Sequence, residues 1–75
     1  MPVIINGREV SPCICAKAKY ALGVIKKMPN NIKYCSQDYW IEVVTYFGSM
    51  YGKTSEEINK AIDQKHLYSS KLKIT

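Results

Sequence analysis

A small α+β domain is the fold class this sequence predicts. Three observations carry it: an Asn-Gly pair between two β-prone triplets, apolar stripes at helical spacing, and a capping residue ahead of each stripe. The hairpin comes first. VIINGREV alternates poorly, but Asn6-Gly7 is a strong hairpin signal, because a two-residue type I′ turn needs positive φ at both positions. Strands are expected over 3–5 and 8–10. A lone two-stranded hairpin is marginal in water and has to pack against something. Lys71-Leu72-Lys73-Ile74 alternates with period two, so a strand over 71–74 is the candidate to complete a small antiparallel sheet.

Ser11-Pro12 opens the first helix, serine as N-cap and proline at the first helical position, where its missing N–H costs nothing. The pattern predicts a helix over 12–28, ending before Pro29, with Ile14, Ala18, Ala21, Leu22, Ile25 and Met28 on its buried face. Lys19, Lys26 and Lys27 fall on the opposite face, and Lys17 flanks the apolar stripe. Gly23 sits on the outer side of this helix, where it costs ~1 kcal/mol relative to alanine and where the pattern gives it no purpose.

Ser36 caps a second helix, expected over 37–51, with Asp38 favourably placed in its first turn. Trp40, Val43, Val44, Phe47, Gly48 and Tyr51 share a face and mark it as the central core helix, while Asp38, Glu42, Thr45 and Ser49 share the other. Gly52 fits the left-handed position just past its end. Thr54 with Glu57 is a capping box, so a third helix is expected over 55–66, buried through Ile58, Ala61 and Ile62.

The second and third helices with their glycine-bearing turn have helix-turn-helix spacing. The exposed side of the third helix tells against reading DNA. It presents Glu56, Glu57 and Asp63 against Lys60, and a phosphate-lined groove repels that balance.

Seventy-five residues make one domain that buries only about 60% of its unfolded surface, too little for a deep substrate cavity. No glycine-rich phosphate loop is present; the four glycines are scattered. Asp38 and Glu42 lie one turn apart, but paired acid/base work needs a desolvated cleft, and a solvated polar face explains them better. Cys13, Cys15, Cys35 and His66 make four potential zinc ligands at the wrong spacing, because side chains two apart on a helix diverge by about 200°. Free thiols packing as small hydrophobes are the simpler reading, with no metal and no cofactor. An enzyme is not expected.

Three cysteines, an odd number, follow an opening MPVIING that lacks the basic flank and apolar core of a secretory signal, so a reduced, cytoplasmic protein is expected. The longest uncharged stretch around the aromatic segment, VVTYFGSMYG, falls far short of the roughly 20 residues that span a bilayer, so no membrane contact is expected.

Charge points to the partner. The net +5 lies in the first half of the chain, where Arg8, Lys17, Lys19, Lys26, Lys27 and Lys33 face Glu9 alone, while the second half is neutral. Such asymmetry suits an anionic partner, an acidic protein surface first and nucleic acid second, although a basic balance also serves solubility. Tyr20, Tyr39 and Tyr46 fall on the shoulders of their helices, where an apolar ring with a polar hydroxyl suits an interface. The expected contact surface is therefore Lys17, Lys19, Lys26, Lys27 and Lys33 with Tyr20, Tyr39 and Tyr46. The function expected from it is that of a non-enzymatic binding protein, an inhibitor or adaptor of the kind found among phage and plasmid accessory regulators. The alternative is a nucleic-acid binder, with lysines on phosphates.

Overall fold

The computed structural model describes residues 3–30, 35–64 and 67–68. Strands β1 (Val3–Ile5) and β2 (Arg8–Val10) pair antiparallel in the register Val3 with Val10, Ile4 with Glu9 and Ile5 with Arg8. The turn between them holds Asn6 at φ 53° and Gly7 at φ 77°, the positive pair that a type I′ turn requires. The pleat sends Ile5 and Val10 into the core, each 1% exposed, and leaves Ile4 outside at 54%. Three helices follow: α1 (Pro12–Ala21), α2 (Gln37–Met50) and α3 (Ser55–Ile62). Hairpin and helices together form a small α+β domain. The strand expected over 71–74 lies outside the described residues.

The first helix is shorter than its apolar spacing suggests. It stops at Ala21 rather than near 28, and Gly23 is the reason. At φ +81° Gly23 occupies the left-handed position after the C-cap Leu22. The N–H groups of Gly23 and Val24 donate back to the carbonyls of Tyr20 and Lys19 at 3.0 and 2.8 Å, closing the helix with a Schellman motif. A glycine read as a costly interior residue is thus the stop signal. Ile25 is half-buried, Met28 is 43% exposed, and Lys26 and Lys27 stand on irregular chain beyond the helix.

The second helix ends in the same way, with Gly52 at φ 71° and the N–H of Lys53 donating to the Gly48 carbonyl at 2.8 Å. Its inner face buries Trp40, Val43, Val44, Phe47 and Gly48 against both α1 and α3. Tyr51, expected on that stripe, is 41% exposed, because it is the C-cap residue and lies at the rim, stacked on Phe47.

The third helix stops at Ile62, short of the expected 66, with Asp63 as its C-cap. Thr54 Oγ1 accepts from the Glu57 N–H at 3.2 Å, while the Thr54 N–H donates to Glu57 Oε1 at 2.9 Å. That backbone donor, with Lys53 and Lys60 nearby, holds the Glu57 carboxyl below its ordinary range. Chain beyond α3 returns to the core, where Leu67 and Tyr68 are buried. Tyr68 stacks on Trp40 at 5.7 Å, and Trp40 Nε1 donates to the Ala61 carbonyl at 3.1 Å.

Gly48 is where α2 and α3 touch. A Cβ placed on it would stand 2.6 Å from Ile58 Cδ1 and nearer still to Cγ1. Replacing Gly48 with alanine brings overpacking of ~1–3 kcal/mol against a gain of ~1 kcal/mol in helix propensity. Gly48→Ala is therefore expected to lower stability in chemical denaturation by ~1 kcal/mol. In an Ile58→Ala background the same change should raise stability, since only the propensity gain remains. A destabilising Gly48→Ala in both backgrounds would place the close contact elsewhere.

The capping box carries a pH signature. A carboxyl held below its unfolded value contributes stability that is present above the unfolded value, near 4.5, and lost as pH falls through the folded one. Thr54→Ala is expected to cost ~1 kcal/mol at neutral pH as a lost N-cap, and less at an acidic pH at which Glu57 has taken up its proton. Urea midpoints of both chains at the two pH values measure this difference.

Candidate functional site

The face of α2 turned away from the core carries Glu42, Thr45, Tyr46, Ser49 and Met50 at i, i+3, i+4, i+7 and i+8. The hairpin turn is pinned to the start of this stripe. Asn6 Nδ2 donates to Glu42 Oε2 at 2.9 Å, and Arg8 Nη1 pairs with Glu42 Oε1 at 3.2 Å. Arg8 also lies over the Tyr39 ring at 5.5 Å, and the Tyr39 hydroxyl donates to the Glu9 carbonyl at 3.4 Å. Beyond the turn, Asn6, Glu42, Thr45, Tyr46, Ser49 and Met50 line an open groove of about 670 Å³.

An aromatic ridge borders the groove. Tyr46 meets Phe47 edge-on at 5.3 Å, Phe47 stacks on Tyr51 at 6.1 Å, and Lys19 of α1 sets its ammonium over the Phe47 ring at 5.7 Å. Tyr46, Met50 and Tyr51 are 39%, 53% and 41% exposed, which places half of the exposed large hydrophobics among the described residues in the last two turns of one helix and its C-cap. These side chains are held on a rigid element, capped at both ends and packed on two neighbours.

The structure brings two of the expected contact residues together, Lys19 and Tyr46, through Phe47. The others disperse. Lys17 is only 2% exposed, so it does not reach a partner's surface; burial lowers its pKa against the opposing pull of Cys35 and Cys13. Tyr20 is half-buried against the core, and Tyr39 anchors the hairpin. Lys26 and Lys27 are exposed but not helical, and Lys33 lies outside the described residues. Met50 and Tyr51 were missed: Met50 stands one turn after Tyr46, a spacing that would have found it, whereas Tyr51 falls by angle on the core stripe.

Little here has the build of a reaction centre. Glu42 is engaged by Arg8 and Asn6, and Asp38 is exposed in the first turn of α2, so this carboxylate pair has no desolvated cleft. The three cysteines are free thiols. Burial pushes Cys35 up to about 11 and raises Cys15, which disfavours the nucleophilic thiolate at neutral pH. Among the described residues no cluster of three or more His, Cys, Asp or Glu side chains converges on one point. Nor is any described helix long and apolar enough to cross a membrane.

Comparison with known proteins finds no matching family model, no matching curated protein and no matching solved structure. Residues and geometry alone therefore carry the functional argument.

The thiols are separable by experiment. Cys13 is half-exposed, while Cys15 and Cys35 are buried with raised pKa values. Iodoacetamide at pH 8 is expected to alkylate Cys13 first in the folded protein and the other two only after denaturation. Peptide mapping by mass spectrometry reads the order, and equal rates at all three would contradict the burial described.

Proposed function

We propose that the protein is a non-enzymatic binding module, an inhibitor or adaptor that works by covering its partner's surface. One observation carries the reading: Tyr46, Met50 and Tyr51 are exposed together at the end of α2, beside an open groove and next to the Phe47 ring that Lys19 covers. Aromatic anchors dominate interface energies, and methionine adapts to the shape it meets. A net charge of +5 steers such a surface towards an acidic partner and speeds encounter.

Nucleic-acid binding draws less support. Tracking a phosphate backbone needs a row of free cations. Of the four lysines described in the first half of the chain, Lys17 is buried and Lys19 lies against Phe47, leaving Lys26 and Lys27 in the open. The outer face of α3 presents exposed Glu56, Glu57 and Asp63 beside Lys60.

The test is capture of partners from lysate, with and without nuclease, on wild type, Tyr46→Ala/Met50→Ala and Lys26→Glu/Lys27→Glu proteins. Capture is expected to survive nuclease, to weaken roughly tenfold or more through faster dissociation when the two anchors are removed, and to lose mainly association rate on charge reversal. Capture that vanishes with nuclease and with the lysine reversal, yet ignores the anchors, would establish the nucleic-acid reading instead.

A further inference from the structure

Resting on that reading of the α2 face, we infer that its occupant is an acidic amphipathic helix presented by the partner. Shape is the first argument. Glu42, Tyr46 and Met50 form one i±4 row along α2 and Thr45 and Ser49 form the next, so a row of long side chains runs beside a row of short ones. Two helices pack by laying the ridge of one into such a depression on the other. The groove extends over residues 42–50, about two helical turns or roughly 12 Å, and Asn6, held on Glu42, marks its end at the hairpin turn. An apolar side chain of the incoming helix fits against Tyr46 and Met50, with its neighbours over the hydroxyls of Thr45 and Ser49. An extended segment has less to gain elsewhere, since β1 and β2 are three residues long and offer few backbone hydrogen bonds to an added strand.

Charge decides the sign of the occupant. Among the described residues the groove lining holds no lysine or arginine, and its one carboxylate, Glu42, is paired with Arg8. Arg8, by the hairpin turn, is taken up by that pair, while Lys19 stands over Phe47 on the α1 side. Glutamates or aspartates bordering the apolar stripe of the incoming helix meet Lys19 and a body of net charge +5, in the way that flanking charges select partners in helix pairs. A second copy of this chain is disfavoured, because both bodies carry a net charge of +5.

Panning a phage-displayed library on the folded full chain tests this, using helical peptides of about 16 residues, roughly four turns, randomised along one face and its borders. Enriched sequences are expected to carry apolar residues at i, i+3 or i+4 and i+7, with Glu or Asp at the borders. An enriched peptide, synthesised and titrated, should shift the amide resonances of Thr45, Tyr46, Ser49 and Met50. It should lose roughly tenfold in affinity on Tyr46→Ala and a smaller factor on Lys19→Gln. Circular dichroism of each variant confirms that the fold is kept. Enrichment of basic borders, enrichment of non-helical peptides or resonance shifts on another face would overturn the inference. If lysate capture depends on Tyr46 and Met50 while no acidic helix is selected, the occupant class falls and the surface reading stands. If capture ignores Tyr46 and Met50, both fall together.

Discussion

Trp40 is wholly enclosed, and its surroundings tie the chain together. Its indole N–H donates to the Ala61 carbonyl in the last turn of α3, and its ring stacks on Tyr68 from the chain beyond. An indole N–H buried without a partner costs its full desolvation, and the last carbonyls of a helix have no partner within that helix. One hydrogen bond satisfies the indole at an Ala61 carbonyl that also accepts from the Gln64 N–H at 3.2 Å. It therefore fixes where α3 ends relative to α2 and brings the following residues back over the core. Gln64 adds a second tie by donating from Nε2 to the Ala21 carbonyl at 3.3 Å, joining the chain after α3 to the end of α1.

With Trp40 setting the end of α3, Gly48 sets its approach. The missing side chain at Gly48 is the space that Ile58 fills. Ala61, with no exposure at all, completes the buried side of α3, and the rest of that short helix is polar or half-exposed. So α3 is a packing helix that spends its apolar residues inward and leaves carboxylates outside. Helix-turn-helix spacing in a sequence reports only two capped helices and a tight turn. The residues on the outer face decide whether such a pair is suited to DNA, and here they are acidic.

Because α2 is fixed on its inner side by α1 and α3, its outer side is free to present a stable surface. The hairpin covers the first half of that side through Arg8, Asn6 and Tyr39, and the groove begins where the hairpin stops. Aromatic rings and basic residues, which by composition suggest one mixed patch, are largely separated in space. Among the described residues Arg8 meets Tyr39 and Lys19 meets Phe47, each from another element.

Much of the local structure was legible before folding. Asn6-Gly7 specified the hairpin turn, Ser11, Ser36 and Thr54 specified three helix starts, and helical periodicity named Trp40, Val43, Val44, Phe47 and Gly48 as one buried face, because each depends on backbone geometry or hydrogen bonds within a few residues. The end of α1 was also written in Gly23, but apolar spacing that continued to Met28 concealed it. Tertiary structure alone decided the burial of Lys17 and the exposure of Tyr51. An angle around a helix says which side chains share a direction, but the width of the buried arc depends on what packs there: Lys17 is covered until it is 2% exposed, whereas Tyr51 lies at a helix end that its neighbours do not cover. The meeting of Lys19 with Phe47 and of Asn6 with Glu42 belongs to the same class, since contacts between residues 28 and 36 positions apart are made only by the packing of whole elements.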